Sequence, residues 1–127
     1  MARAPRPLAP AAPGEPAFVL HDHRTPRPHF DLRLEQGGVL RSWAVPKGLP
    51  VRTDENRLAI AVPDHDLAHL TDQDQDKSIA DIGTWTEEHR TDRRFVFTLH
   101  GRAGDRRYAM IRTPQAWLLH LMTDQDG

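Results

Sequence analysis

The sequence predicts an all-β fold: a small closed or partly open barrel of short antiparallel strands with little helix. Three observations point there. Apolar and polar residues alternate with a period of two in several separate segments, which is the strand signature. Turn residues interrupt these segments every ~8–12 residues, the spacing of sandwiches and barrels. No stretch of about ten residues or more carries an amphipathic helical pattern.

Along the chain, residues 1–16 are rich in Pro and Ala and read as a disordered tail, residues 17–123 as one domain, and residues 124–127 as a short second tail. Residues 17–21 form a first short strand, followed by a proline-bounded loop at 25–28. Residues 29–35 alternate Phe30, Leu32 and Leu34 with His29, Asp31, Arg33 and Glu35, a strand with one apolar and one polar face. Gln36-Gly37-Gly38 is a tight turn, and residues 39–45 return as the second arm of a hairpin. The prolines at 46 and 50 break that strand. Residues 57–62 place Leu58, Ile60 and Val62 on one face. Residues 64–70 read as a helical turn or loop, and 71–77 as an acidic loop. A strand begins at 83–86. Residues 94–100, a turn at 101–105 and residues 106–113 form a second hairpin, and residues 117–122 form the last strand. Trp43, Trp85 and Trp117 are expected in the core or at a barrel end.

Composition narrows the function. The chain has 127 residues and no Cys, which excludes disulfide frameworks, thiolate zinc sites and cysteine nucleophiles. It has neither a signal-peptide core nor a run approaching the roughly 20 apolar residues of a membrane span, so a soluble cytoplasmic protein without membrane partners is expected. The net charge of −1 hides a pattern. Residues 1–60 hold nine basic and six acidic side chains, residues 61–92 two and nine, and residues 93–127 six and three. Two basic segments flanking an acidic one suit a local site for an anionic ligand rather than non-specific coating of nucleic acid.

The chemistry concentrates in residues 21–35, His-Asp-His-Arg-Thr-Pro-Arg-Pro-His-Phe-Asp-Leu-Arg-Leu-Glu. His29, Asp31 and Arg33 share a strand face, with Cα atoms roughly 6.5–7 Å apart at two-residue spacing. His23, His29 and Asp31 offer nitrogen and carboxylate ligands suited to Mn, Fe, Ni or Zn, the carboxylate favouring harder ions. Arg33 suits a phosphate, whose growing charge a guanidinium can neutralise. Hydrolysis of a phosphoester also needs a general acid, and His65 in Val-Pro-Asp-His is a candidate.

Three motifs carry a resemblance: His-x5-His-Phe-Asp-x-Arg-Leu-Glu at 23–35, Gly-Val-Leu-x-Ser-Trp-Ala-Val-Pro-Lys-Gly at 38–48, and Arg-Leu-Ala-x-x-Val-x-Asp-His at 57–65. In this order they resemble the 3′-phosphoesterase domain of bacterial DNA ligase D, over about residues 18–122. The resemblance implies a compact β-barrel that uses a divalent metal, typically manganese, to remove a 3′-terminal ribonucleoside and then the 3′-phosphate from DNA ends, leaving a 3′-hydroxyl during end-joining repair. It implies His23, His29 and Asp31 as metal ligands, and Arg33 and His65 as the groups on the scissile phosphate. Lys47 and Arg57 match further basic positions near the phosphate or nucleotide. His21 sits where the family often has Gln, and His69 where it often has a functional Tyr. The implied partners are DNA or DNA/RNA 3′ ends and a separate ligase, polymerase or end-binding protein.

The chain also departs from the family pattern. A Gly-rich run that usually follows the Asp-His motif is replaced by the acidic stretch 71–82, and only Glu15 remains of the charged N-terminal segment. The chain therefore reads as a stand-alone, shortened form. Two rival readings follow: a weakly catalytic or inactive module that holds a DNA 3′ end, and a cupin-like metal oxygenase using the same two His and carboxylate.

Overall fold

The computed structural model describes residues 15–123, so the tail expected at 1–16, apart from its last two residues, and that expected at 124–127 lie outside the described residues. Eight strands follow in chain order: β1 (Ala17–His23), β2 (His29–Gln36), β3 (Val39–Val45), β4 (Asn56–Asp66), β5 (Lys77–Arg90), β6 (Arg94–Gly101), β7 (Gly104–Arg112) and β8 (Trp117–Leu121). A five-residue 3-10 turn, Leu67–Thr71, follows β4. The strands close into an antiparallel barrel in the order β1-β2-β3-β4-β8-β7-β6-β5, with β5 returning to β1. None of the described helices is long and apolar enough to cross a membrane.

Alternation along the strands builds the barrel. Phe18, Leu20, Leu32, Leu34, Trp43, Phe95, Phe97, Leu99, Met110 and Leu119 point inward and form one buried cluster. Fully burying a side chain of this size contributes ~1.5–3 kcal/mol. Aromatic members meet in several geometries: Trp85 edge-on to Phe95 at 5.9 Å between ring centroids, Phe95 tilted on Phe97 at 4.9 Å, and Phe97 stacked on Tyr108 at 5.8 Å. Trp85 donates its indole N–H to the Glu35 carbonyl at 3.0 Å. The β2–β3 hairpin turns at Gly37 and Gly38, whose φ angles of 62° and 87° suit the tight turn that a right-handed strand twist prefers.

The expected hairpins and the last strand are present, and the barrel is closed. Two local expectations need correction. β4 runs on to Asp66, past the expected end at 62; Pro63, which has no N–H to donate, falls in the bulge where the β3–β4 register shifts. β5 begins at Lys77, well before the expected start at 83, because residues 77–84 pair with β1 and close the barrel. Leu58 and Ile60 face outward and are exposed, whereas Ala59 is buried in the core. Leu58 pairs with Leu118, and Leu118 with Ile111, so an apolar stripe crosses the outside of β4, β8 and β7.

Candidate metal and phosphate site

The same alternation that sends Leu20, Leu32, Leu34 and Trp43 inward sends His21, Asp31, Arg33 and Ser42 to the outer wall. Such positions are ordinarily wet, yet all four of these are buried. The cover is the 3-10 turn, which packs against β1, β3 and β4, and the loop that follows it. Arg24 pins that loop to the end of β1: its backbone N–H donates to the Asp76 carbonyl at 2.8 Å, and its guanidinium donates to Ser78 Oγ at 3.0 Å and the Gln75 carbonyl at 2.9 Å.

Register brings the ligands together. His21 pairs with Asp31 and His23 with His29 across β1 and β2. One donor atom each from His23, His29 and Asp31 lies within 4.8 Å of the others. Asp31 bridges the pair, with Oδ2 3.2 Å from His23 Nδ1 and Oδ1 3.2 Å from His29 Nε2. His29 Nδ1–H donates to the Arg27 carbonyl at 2.8 Å, which turns Nε2 toward Asp31. In a neutral imidazole that nitrogen then presents a lone pair to a carboxylate oxygen, an arrangement that calls for a cation between them. Two imidazoles and a carboxylate converging in this way fit a divalent transition metal.

Beside this trio lies the Arg33 guanidinium, held on several sides. Arg33 Nη1–H donates to Ser42 Oγ at 2.9 Å and lies 2.8 Å from His65 Nδ1; Nε–H faces His21 Nδ1 at 3.4 Å; Nη2 is 3.5 Å from Asp31 Oδ2. Arginine has only donors, so His65 accepts at Nδ1 and carries its proton on Nε2. Burial, the Arg33 charge and His69 all push the His65 pKa down, which keeps this ring neutral. His69 stands edge-on to it at 5.6 Å and donates Nδ1–H to Asp72 Oδ2 at 2.6 Å.

His21 is held in one tautomer. It accepts from Arg33 at Nδ1 and donates Nε2–H to the Asp72 carbonyl at 2.9 Å. Burial, then the charges of Arg33 and Lys77, push its pKa down from 6.5 to about 4. Because the folded value lies below the unfolded one, the unfolded chain takes up the proton first. Stability therefore falls as pH drops below about 6.5 and levels off below about 4, a loss of about 3 kcal/mol from this group. Gln supplies the same donor and acceptor without titrating. His21→Gln is expected to flatten that acid limb, read as the difference in urea midpoint between pH 7 and pH 4.5 for the two proteins.

Seven residues singled out in the sequence thus gather on one outer wall: His21, His23, His29, Asp31, Arg33, His65 and His69. Lys47 and Arg57 do not join them. They line a separate cavity of about 430 Å³ at the barrel mouth, together with Leu20, Phe30, Arg102 and Arg106. There the Arg57 guanidinium donates to the Lys47 carbonyl. This cavity backs onto the inner side of β2, since Phe30 faces it while His29 and Asp31 face the outer wall. Glu15 lies at the other end of β1, beside Glu35 and Trp85. Sequence reasoning missed Ser42 and Asp72. Ser42 lies inside a recognised motif, but nothing in the motif marks its hydroxyl as the partner of Arg33. Asp72 is one of several acids in a polar run, without a distinguishing pattern.

The DNA ligase D 3′-phosphoesterase domain family model matches residues 21–112, from the first strand of the site through β7. The chain belongs to this family. Among curated relatives, the multifunctional non-homologous end joining protein LigD of Mycolicibacterium smegmatis is 40% identical over 129 residues, covering 85% of this chain and 17% of that protein. The multifunctional non-homologous end joining DNA repair protein LigD of Mycobacterium tuberculosis is 42% identical over 122 residues, covering 85% of this chain and 16% of the relative. LigD of Pseudomonas aeruginosa is 33% identical over 110 residues, covering 76% of this chain and 13% of the relative. The chain thus spans about one-sixth or less of the length of these LigD proteins.

Proposed function

We propose that the protein is a metal-dependent 3′-end-healing phosphoesterase that removes a 3′-terminal ribonucleoside, a 3′-phosphate or both from DNA ends to leave a 3′-hydroxyl for end-joining repair. The observation that carries this reading is the conjunction, on one wall, of a His23–His29–Asp31 trio with a buried Arg33 whose guanidinium borders it. A phosphoester needs both halves, and membership of the DNA ligase D 3′-phosphoesterase family supports the same chemistry. The cupin-like oxygenase reading gives no role to Arg33.

His23, His29 and Asp31 would hold the ion, with manganese the family's usual choice. A divalent ion bound there supplies Lewis-acid polarisation of the phosphoryl oxygens and a lowered pKa for bound water. The chain's own residues do the rest. Arg33 stabilises the charge that builds on the phosphoryl group. It is held for that task by Ser42, His65 and His21, so little reorganisation is needed as the charge develops. His65 presents Nε2–H outward, where a phosphate oxygen can accept it. Lys47 and Arg57 at the barrel mouth serve the flanking nucleic-acid strand rather than the scissile phosphate. Lys47→Ala is therefore expected to raise KM for a DNA end by about fivefold while leaving Mn²⁺ affinity unchanged, since a single phosphate contact contributes on the order of 1 kcal/mol.

A coupled assay tests the function. DNA with a 3′-phosphate is not extended by a polymerase. After incubation with the protein and Mn²⁺ it is expected to be extended, and after incubation with His29→Ala it is not. If the wild type binds the DNA end but never makes it extendable, the domain is a binding module and the enzymatic reading fails.

A further inference from the structure

Proton donation to the leaving group is the step that the trio and Arg33 leave unassigned. We propose that His69, held by Asp72, donates this proton, and that His65 serves only as a hydrogen-bond donor to the phosphate. The proposal rests on the phosphoesterase reading and assigns roles within that site.

Geometry separates the two histidines. His65 Nδ1 is already taken up by the Arg33 guanidinium at 2.8 Å, with Ser42 Oγ at 3.3 Å. A ring that accepts from a guanidinium has no room for a second proton, and a neutral imidazole N–H is a poor acid. Burial and the charges of Arg33 and His69 act in the same direction on His65. His69 has different surroundings. Its Nδ1 faces the Asp72 carboxylate at 2.6 Å, an arrangement in which a carboxylate orients an imidazole. Nε2 of His69 has no hydrogen-bond partner among the described residues, and its half-exposed side chain is open to a substrate. Its ring stands edge-on to His65 at 5.6 Å, so the two imidazoles are neighbours on the same wall.

Asp72 is itself fixed at two points. Its backbone carbonyl accepts from His21, and its carboxylate lies 3.9 Å from Lys77 Nζ. The titratable and charged groups around His69 are therefore His65 of β4, Asp72 and Lys77 of the covering loop and β5, and His21 of β1. Arg33 and Asp31 of β2 lie one residue further. Of these, only Asp72 touches the His69 ring with an opposite charge. In the step, a water oxygen bonds to phosphorus and the bond from phosphorus to the leaving oxygen breaks. That electron pair goes to the leaving oxygen, which takes the proton from His69 Nε2. The attacking water releases its proton to solvent, and solvent later returns one to His69. Asp72 is a positioning residue, since it acts through His69.

The test compares leaving groups on the intact protein with Mn²⁺. One substrate is a 3′-phosphate-ended DNA, whose alkoxide leaving group needs a proton. The other is thymidine 3′-(p-nitrophenyl phosphate), whose nitrophenolate does not. His69→Ala is expected to slow the first by ~100-fold or more and the second by less than about tenfold. Asp72→Asn is expected to act in the same sense with a smaller loss. In the metal-free, ¹⁵N-labelled protein, the downfield Nδ1–H proton resonance of His69 is expected to disappear in Asp72→Asn. Equal losses on both substrates, or no loss on either, overturn the assignment, as does an unchanged resonance. Wild-type protein that leaves both substrates intact overturns the phosphoesterase reading instead.

Discussion

Asp31→Asn is expected to abolish Mn²⁺-dependent turnover while leaving the barrel folded. Asp31 is the side chain that both imidazoles share, at 3.2 Å from each. Asn keeps its shape and loses its charge, so the trio becomes two neutral imidazoles around an amide, a much weaker set for a hard-to-borderline cation. Metal polarisation contributes several kcal/mol to such a reaction, and each 1.4 kcal/mol is a factor of ten, so the loss in kcat/KM should be about 10³-fold or more. Arg33 keeps its bonds to Ser42 and His65, and the Asp31 carboxylate only approaches it at 3.5 Å. Urea melts of the variant should therefore stay close to wild type. Electron paramagnetic resonance titration with Mn²⁺ reads the metal directly. An affinity within threefold of wild type would remove Asp31 from the ligand set.

Gly83→Ala should be the most damaging small change to the fold. A Cβ at Gly83 would stand 1.9 Å from the His100 carbonyl oxygen and 3.2 Å from the Phe18 ring. The nearer obstacle is backbone, and it lies in β6, which pairs with β5 through Thr84 and His100. On its other side β5 pairs with β1 through Gly83 and Phe18. Relief must therefore come from moving a strand that closes the barrel. Overpacking usually costs ~1–3 kcal/mol, and the upper end or more applies where the neighbour is backbone. At 4–8 °C per kcal/mol for a domain of this size, the melting temperature should fall by about 12 °C or more. A fall below about 4 °C would mean that the two strands part more easily than their pairing implies.

The site was legible because its parts are local. His23, His29, Asp31 and Arg33 fall within eleven residues, on two strands joined by one short loop. Period-two alternation is enough to put the last three on one face. His65 needed its motif, because nothing in residues 62–66 says that the strand continues and returns its ring to Arg33. The cover was illegible for a related reason. Asp72 meets His21 across 51 residues of chain, a closeness set by how β5 closes the barrel. The start of β5 is itself hard to read, because residues 77–84 are mostly half-buried rather than alternating, and the register slips at Leu20 and His21. In β4 the apolar alternation was real but pointed outward. The core takes Ala59 there, and Leu58 and Ile60 join the outer stripe.

The outer wall carrying His23, His29, Asp31 and Arg33 is proposed to hydrolyse 3′-terminal phosphoesters. The most direct measurement follows a labelled DNA primer ending in one ribonucleotide, incubated with the purified protein and Mn²⁺, beside the same reaction with chelator and beside Arg33→Ala. Loss of the terminal ribonucleoside and then of the phosphate is expected in the first reaction only, giving a primer that ends in a 3′-hydroxyl. A primer that stays intact with Mn²⁺, or one trimmed equally well by Arg33→Ala, would contradict this proposal.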